Sequence, residues 1–207
     1  ARVEGIARGA LAHGWQIGVH AIGDRANREV LDAYAAVLET APVVRKLRWR
    51  VEHAQVVAPA DLGRFGAMDV IAAMQPVHAT SDMPWAEARL GPERVRGAYA
   101  WRSILGGGGR IVGGSDFPVE EATPLAGLYA AITRQDRTGA PEAGWYPEQR
   151  MTIDEALAAF TTAPAYAAFE EATRGRLAPG FAADVTVIDA PAKSLAALSP
   201  AHLLAAK

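Results

Sequence analysis

The rest of the chain is organised around one segment, Gln16-Ile-Gly-Val-His-Ala-Ile-Gly-Asp-Arg-Ala-Asn27. Its apolar run ends in His20, a Gly-Asp turn follows, and apolar residues then recur at helical spacing. The pattern predicts a strand over residues 16–21, a tight turn, and a helix over about 25–39 that Asp24 caps. Because parallel strands present ligand-binding groups at their carboxyl ends, His20 is a candidate functional residue.

The same succession of strand and helix is predicted three more times. Strands are expected over 49–54, 69–76 and 110–116, and each precedes a segment with a helical pattern. The strand over 69–76 is apolar along most of its length, which is typical of a strand buried on both faces. Regular alternation predicts an α/β fold with a parallel sheet, either a small open sheet or half of an eight-stranded barrel.

Two segments depart from this alternation. Residues 77–100 are rich in turn-forming residues and are predicted to be irregular, with a helix resuming at about Tyr99. Residues 174–189 place a Pro-Gly dipeptide between two short apolar stretches, which predicts two strands joined by a turn. Between these segments, Thr123-Pro124 and the capping box Thr152-Ile-Asp-Glu155 mark the beginnings of two helices.

The composition limits the classes of partner and cofactor. The 207 residues are 50% hydrophobic and 21% charged, with a net charge of −2 and no basic cluster, so neither nucleic acid nor an anionic membrane is an expected partner. There is no cysteine, so any metal would have nitrogen and oxygen ligands only. With no apolar run that could span a bilayer and no recognisable signal peptide, a cytoplasmic location is expected unless an export signal lies upstream of residue 1.

Three of the four predicted strands end in a possible metal ligand: His20, His53 and Asp116. In a parallel barrel these strand ends converge on one face, so the three side chains could surround one point. Imidazole nitrogen and carboxylate oxygen suit a divalent metal, zinc above all, and zinc lowers the pKa of bound water to about 7. Asp116 could both hold the metal and carry a proton. The competing interpretation of each histidine is a core residue in an apolar run.

Several motifs, in order, resemble one family. They are Val19-His-Ala-Ile-Gly-Asp-Arg-Ala26, Arg50-Val-Glu-His-Ala-Gln55, Gln75-Pro76 with His78, Leu90-Gly-Pro-Glu93, Tyr99-Ala-Trp-Arg-Ser103, Gly114-Ser-Asp-Phe-Pro-Val119 and Gly175-Arg-Leu-Ala-Pro-Gly-Phe-Ala-Ala-Asp184. The sequence is similar to the amidohydrolase superfamily, in its YtcJ-like or amidohydrolase family 3 branch of metal-dependent hydrolases. The resemblance implies that His20 and His53 are the metal ligands of the fifth and sixth barrel strands. It implies that Asp116 is the ligand and proton shuttle of the eighth strand.

The resemblance covers only part of the family's pattern. Such enzymes also use a His-X-His pair on the first strand and a lysine on the fourth, and this chain contains no His-X-His. The implied architecture is the second half of a (β/α)₈ TIM-type barrel over 1–172 and part of an appended small β-sandwich over 173–207. The chain is therefore expected to be a fragment. The missing N-terminal half would be absent, disordered or supplied by another chain, and a homo-oligomer is also open.

The expected function is metal-dependent hydrolysis of a C–N, amide-like bond in a small organic substrate, with one or two divalent ions, most simply zinc. Substrate contacts are expected from Gln75, His78, Trp85 and Arg102, while Asp24 and Arg25 are expected to orient His20, or else to serve as a helix cap and a solvated charge. Two alternatives stay open. One is a non-catalytic subunit that lacks the first-strand ligands, and the other is a deaminase that acts on a ring C=N bond.

Overall fold

In a computed structural model of the chain, residues 2–187 are described. The four strands of this range are β1 (Gly18–Ala21), β2 (Arg50–His53), β3 (Ile71–Met74) and β4 (Arg110–Gly113). The α-helices are α1 (Arg2–Ala12), α2 (Asp24–Thr40), α3 (Arg64–Met68), α4 (Pro76–Arg94), α5 (Trp101–Gly106), α6 (Pro124–Thr133), α7 (Ile153–Phe160) and α8 (Thr162–Ala167). Short 3₁₀ helices occur at Pro42–Leu47, Pro59–Asp61, Val95–Gly97 and Pro147–Gln149.

The strands form one sheet in the order β1-β2-β3-β4. Strand β1 pairs in parallel with β2, and β2 pairs in parallel with β3. All four residues of β3 are buried, as its apolar sequence predicts. The predicted α/β fold with a parallel sheet is confirmed, and each strand is shorter than its apolar pattern suggested.

The described residues divide into two compact units. The first contains residues up to Met74 together with Ala86–Ile111, and the second contains Gln75–Trp85 together with the chain from Val112 onward. The domain boundary expected near residue 172 stays a prediction.

In the first unit, helix α2 covers the sheet through an apolar stripe. Val30, Leu31 and Val37 on α2 are at most 3% exposed, and Tyr34 is completely buried. The Tyr34 hydroxyl donates a hydrogen bond of 2.9 Å to the carbonyl oxygen of Arg50 at the beginning of β2. Burial of each such side chain stabilises the fold by about 1.5–3 kcal/mol, so this stripe fixes the helix that follows His20.

In the second unit, helices α6 and α7 pack against each other. Tyr129 on α6 is 3% exposed and contacts apolar side chains of both helices. The Phe160 ring lies where Gly113 and Gly127 lack side chains, since a Cβ at either glycine would approach the ring within 2.7 Å. The two helix beginnings predicted in this region, Thr123 before Pro124 and the Thr152–Glu155 capping box, are both confirmed.

The prediction that residues 77–100 are irregular is wrong for most of that range, because α4 spans Pro76–Arg94, with a kink at Gly91, whose backbone is not helical. Turn formers such as Ser81 and Pro84 favoured a loop. In the structure Val77 and Ala86 are at most 7% exposed, and this burial outweighs the weak local preference.

The two strands expected over 174–189 are not formed within 174–187, which contains turns and irregular chain. The remainder of that prediction, and all of 188–207, lies outside the described residues. Within the part of the chain that the structure describes, no helix has both the length and the apolar character needed to cross a membrane.

Candidate metal centre

The two histidines near the ends of β1 and β2 lie side by side. His20 is the third residue of β1 and is exposed, whereas His53 is the last residue of β2 and is 7% exposed. Nδ1 of His20 and Nε2 of His53 are 2.8 Å apart, and the two ring centroids are 4.7 Å apart. At this distance one ring nitrogen donates a hydrogen bond to the other, the direction depending on the tautomers. The structure thus brings these two predicted residues together.

Strand register alone would not produce this pair. His20 lies opposite Glu52, and Ala21 lies opposite His53. Because side chains alternate between the two faces of a strand, His20 and His53 would point to opposite faces if both were fully extended. His53 instead has a left-handed backbone with φ of 74°, and Ala54 follows with φ of 46°. This turn redirects the His53 imidazole, and such conformations in non-glycine residues are concentrated at functional sites.

The face of the sheet that carries His20 also carries a paired charge. Gly18 lies on this face, and a Cβ there would be 2.3 Å from Oε1 of Glu52, so the glycine leaves room for that carboxylate. Nε of Arg50 donates to Oε1 of Glu52 at 2.8 Å, and Nη1 of Arg50 donates to Oε1 of Gln16 at 2.6 Å. Because the guanidinium compensates the carboxylate, these two groups together add no net charge to the face that holds the imidazole.

In the second unit, His78 and Asp116 form another close pair. A ring nitrogen of His78 and a carboxylate oxygen of Asp116 lie within 4.8 Å of each other. His78 is 6% exposed in the first turn of α4, and Asp116 is exposed in a turn with φ of 56°. The strand expected to run to Asp116 ends earlier, at Gly113, and Gly113 and Gly114 weaken a strand because they have greater backbone freedom and no side chain to pack. Asp116 therefore lies three residues beyond the strand.

The other residues predicted to contact substrate lie on separate elements. Gln75, 8% exposed, directly precedes α4, and Trp85, 49% exposed, lies on α4; both belong to the second unit. Arg102 is half-buried on α5 in the first unit. Their contacts with a substrate stay predictions.

Asp24 and Arg25 make ion pairs with residues other than His20. Asp24 accepts hydrogen bonds from Nε and Nη2 of Arg94 at 2.8 and 3.1 Å, and this guanidinium lowers the pKa of the Asp24 carboxyl below its usual value. The Arg25 side chain is 90% exposed and pairs with Glu29. The helix cap predicted at Asp24 is wrong by one residue: Gly23 is the N-cap, and Asp24 is the first helical residue. An orienting effect on His20 stays a prediction.

The donors of the first unit fit a divalent metal. Two nitrogens bound to one zinc ion, at about 2.05 Å each and a tetrahedral angle, are about 3.3 Å apart. The ring nitrogens of His20 and His53 are 2.8 Å apart, so a displacement of about half an ångström would convert the hydrogen-bonded pair into two ligands of one ion. No cysteine competes as a ligand.

Asn27 is a fully buried polar residue to which the motifs assign no role. It lies on α2 on the same stripe as Val30, Leu31 and Tyr34. A polar residue at a helical apolar position is the signal that would have identified it.

The sequence profile of the amidohydrolase family matches residues 1–207. Protein LONG AFTER FAR-RED 3 of Arabidopsis thaliana is 38% identical over 176 residues, which is 84% of this chain and 30% of that protein. The putative amidohydrolase YtcJ of Bacillus subtilis is 33% identical over 181 residues, which is 87% of this chain and 34% of that protein. The crystal structure of an uncharacterized metal-dependent hydrolase from Pyrococcus horikoshii has a TM-score of 0.78 at 26% identity, over 97% of this chain and 38% of that chain.

The chain thus spans about a third of the length of the curated relatives that it matches. The fold shared with the Pyrococcus horikoshii structure agrees with the α/β fold described above. The chain belongs to the amidohydrolase superfamily, in amidohydrolase family 3.

Proposed function

We propose that this chain carries part of the active site of a metal-dependent hydrolase that cleaves a C–N, amide-like bond in a small organic substrate. The observation that carries the proposal is the 2.8 Å approach of His20 Nδ1 and His53 Nε2 at the carboxyl ends of adjacent parallel strands. Membership of the amidohydrolase family supplies the reaction class.

The proposed ligands are His20, His53 and Asp116, which would hold one or two divalent ions, most simply zinc. The donor set supports this choice, because neutral imidazole nitrogen and carboxylate oxygen are ligands that zinc accepts. When bound, the ion polarises the scissile carbonyl and lowers the pKa of water towards neutrality. His78 lies within 4.8 Å of the Asp116 carboxylate, and its proposed role is a contact with the substrate.

The chain's own groups would then carry the proton and hold the substrate. Asp116 is exposed, so its carboxylate can reach a substrate nitrogen, take a proton from the attacking water and pass it to the leaving amine. Arg102 would bind a substrate carboxylate, and Trp85 and Gln75 would contact the rest of the molecule.

The architecture proposed for the whole protein is a (β/α)₈ barrel with an appended β-sandwich, of which this chain supplies barrel strands five to eight. The support is coverage: the chain aligns along 97% of its own length with 38% of the Pyrococcus horikoshii hydrolase. The first-strand His-X-His and the lysine would come from a preceding half, in the same polypeptide or in another chain.

One relative favours an amide over a ring C=N bond as the target. The N-substituted formamide deformylase of Arthrobacter pascens is 28% identical over 180 residues, which is 85% of this chain and 32% of that protein. Its name specifies an N-substituted formamide as substrate. N-substituted formamides are therefore the first substrates to assay, and ring deamination is the alternative.

The test is His53→Ala in the complete enzyme, with His13→Ala as the matched control. His13 is an exposed histidine that stacks on Trp15. We expect His53→Ala to lose bound metal, measured by elemental analysis after dialysis, together with formamide hydrolysis, while His13→Ala keeps both. Full turnover with stoichiometric metal in His53→Ala would refute the proposed role. A wild-type protein that retains no metal after dialysis would favour the non-catalytic alternative.

A further inference from the structure

Asn27 lies in the first turns of α2, and its side chain is completely buried. Its amide nitrogen Nδ2 faces backbone carbonyl oxygens from two separate segments. Three belong to the last residue of β1 and the turn after it, at Ala21, Ile22 and Gly23, at distances of 3.1, 3.4 and 3.0 Å. The fourth belongs to Val56, three residues beyond the end of β2, at 3.0 Å. One amide group therefore bridges the two turns that follow the histidine-bearing strands.

A backbone hydrogen bond joins the same two segments. The N–H of Val56 donates to the carbonyl oxygen of Ile22 at 2.8 Å. The turn after β1 and the segment after β2 are thus joined twice, once through the backbone and once through Asn27. Both joints lie within three residues of a histidine of the pair, because Ala21 follows His20 directly and Val56 is three positions beyond His53.

The arrangement requires a donor at this position. A primary amide nitrogen offers two N–H donors from one atom, which suits a site lined by carbonyl oxygens. Oδ1 of Asn27 is buried with no hydrogen-bond partner within the described part of the chain. The amide nitrogen therefore has hydrogen-bond acceptors around it while the amide oxygen is left unsatisfied, which is unusual for a buried polar group.

We propose that Asn27 is a positioning residue that sets the separation and orientation of the His20–His53 imidazole pair. His53 leaves β2 with a left-handed backbone, and the redirected chain then runs through Ala54 and Gln55 to Val56. Asn27 ties Val56 to the carbonyl groups that follow His20, so the turn at His53 is held against the end of β1. The value of this pair to the enzyme rests on the proposed function, whereas the positioning itself is a property of the chain alone.

Two substitutions separate positioning from general stability. Asn27→Ala removes every contact of the amide. Asn27→Ser retains a hydroxyl that can donate to the carbonyl four residues earlier, at Gly23, but is too short to reach Val56. The matched control is Tyr34→Phe, which deletes another buried hydrogen bond from α2, to the carbonyl of Arg50, and touches neither turn.

The first measurement needs no metal. Long-range ¹H–¹⁵N spectra of the 207-residue chain, at fixed pH, report which ring nitrogens of His20 and His53 carry protons and which are hydrogen-bonded. We expect the wild type and Tyr34→Phe to share one pattern with a hydrogen-bonded ring N–H. Asn27→Ala and Asn27→Ser should lose it. Unchanged ring spectra in Asn27→Ser would overturn the proposal even if its melting temperature falls, and Asn27→Ser decides the matter if Asn27→Ala fails to fold.

The second measurement is the dissociation constant for Co²⁺ in the complete enzyme, read from the absorption of the bound ion. Groups that orient metal ligands typically change metal affinity by about 10- to 100-fold when removed, and we expect a weakening of that size for Asn27→Ser and none for Tyr34→Phe. Equal affinity in Asn27→Ser and wild type would overturn the proposal. If the wild type itself binds no Co²⁺, the proposed metal site fails, and the ring spectra still decide the role of Asn27.

Discussion

Gly97→Ala should destabilise the first unit by forcing apart two backbone segments, one of which follows β2 in the chain. A Cβ at Gly97 would lie 1.9 Å from the carbonyl oxygen of Val57 and 3.0 Å from its carbon. Ordinary contact begins at 3.4 Å, so the two segments would have to separate by about 1.5 Å. Gly97 is not among the left-handed glycines, so the penalty for alanine comes from the close contact rather than from a positive φ.

The clash falls on a short antiparallel contact that follows β2. The N–H of Val57 donates to the oxygen of Gly97 at 2.9 Å, and Val56 forms a bridge with Ala98. Overpacking costs about 1–3 kcal/mol and the lost hydrogen bond about 1 kcal/mol, so we expect a loss of about 2–4 kcal/mol in the free energy of unfolding. For a chain of this size that loss corresponds to a fall in melting temperature of roughly 5–15 °C.

The assay is urea unfolding followed by circular dichroism, with Gly63→Ala as the control. Gly63 has a right-handed helical backbone with φ of −69° and ψ of −15°, and a Cβ there meets nothing within 4 Å. Gly63→Ala should be neutral or stabilising by about 0.4–1 kcal/mol. A Gly97→Ala variant as stable as Gly63→Ala would refute the close approach of Gly97 to Val57.

Two further predictions concern single side chains. The Asp24 carboxyl has a pKa below the unfolded value of 3.8 because Arg94 donates to it, so the stability of wild type over Asp24→Asn should be fully present above that pH. This extra stability should be lost as the pH falls through the pKa of Asp24 in the folded protein. The measurement is urea unfolding of both proteins at a series of pH values, and a difference in unfolding free energy that stays constant with pH would contradict the prediction. Thr152→Ala removes the N-cap of α7, where the Thr152 hydroxyl accepts from the Glu155 N–H at 3.2 Å. We expect a loss of about 1 kcal/mol in thermal unfolding, and an unchanged melting temperature would show that this cap contributes nothing.

The sequence predicted the features that local patterns encode. The strand bearing His20, the turn after it and the helix that follows are visible because an apolar run, a Gly-Asp turn and a helical stripe succeed one another. The Thr152–Glu155 capping box is equally local, since both of its hydrogen bonds form within four residues. Such features depend on neighbours in the chain and can be inferred without knowing the packing.

The features that the sequence did not predict depend on contacts between distant segments. Helix α4 forms despite Pro84 because residues at its beginning are buried. The left-handed backbone at His53 and Ala54 has no local signal in the sequence, since neither position is a glycine. The contact of Asn27 with Val56 joins residues 29 positions apart, so a local pattern can mark Asn27 as buried and polar but cannot identify this partner.

The left-handed backbone at His53 has a consequence for protein engineering. A designer who transplants the two histidines onto another parallel sheet, at the same pair of strand positions, would obtain rings on opposite sides of that sheet. The left-handed conformation of His53 has to be copied along with the two side chains. The Asn27 amide has to be copied as well, because it holds the segment that follows β2. A transferable unit therefore has to include the two turns that follow the strands and the Asn27 amide that joins them, rather than two histidines at a chosen spacing.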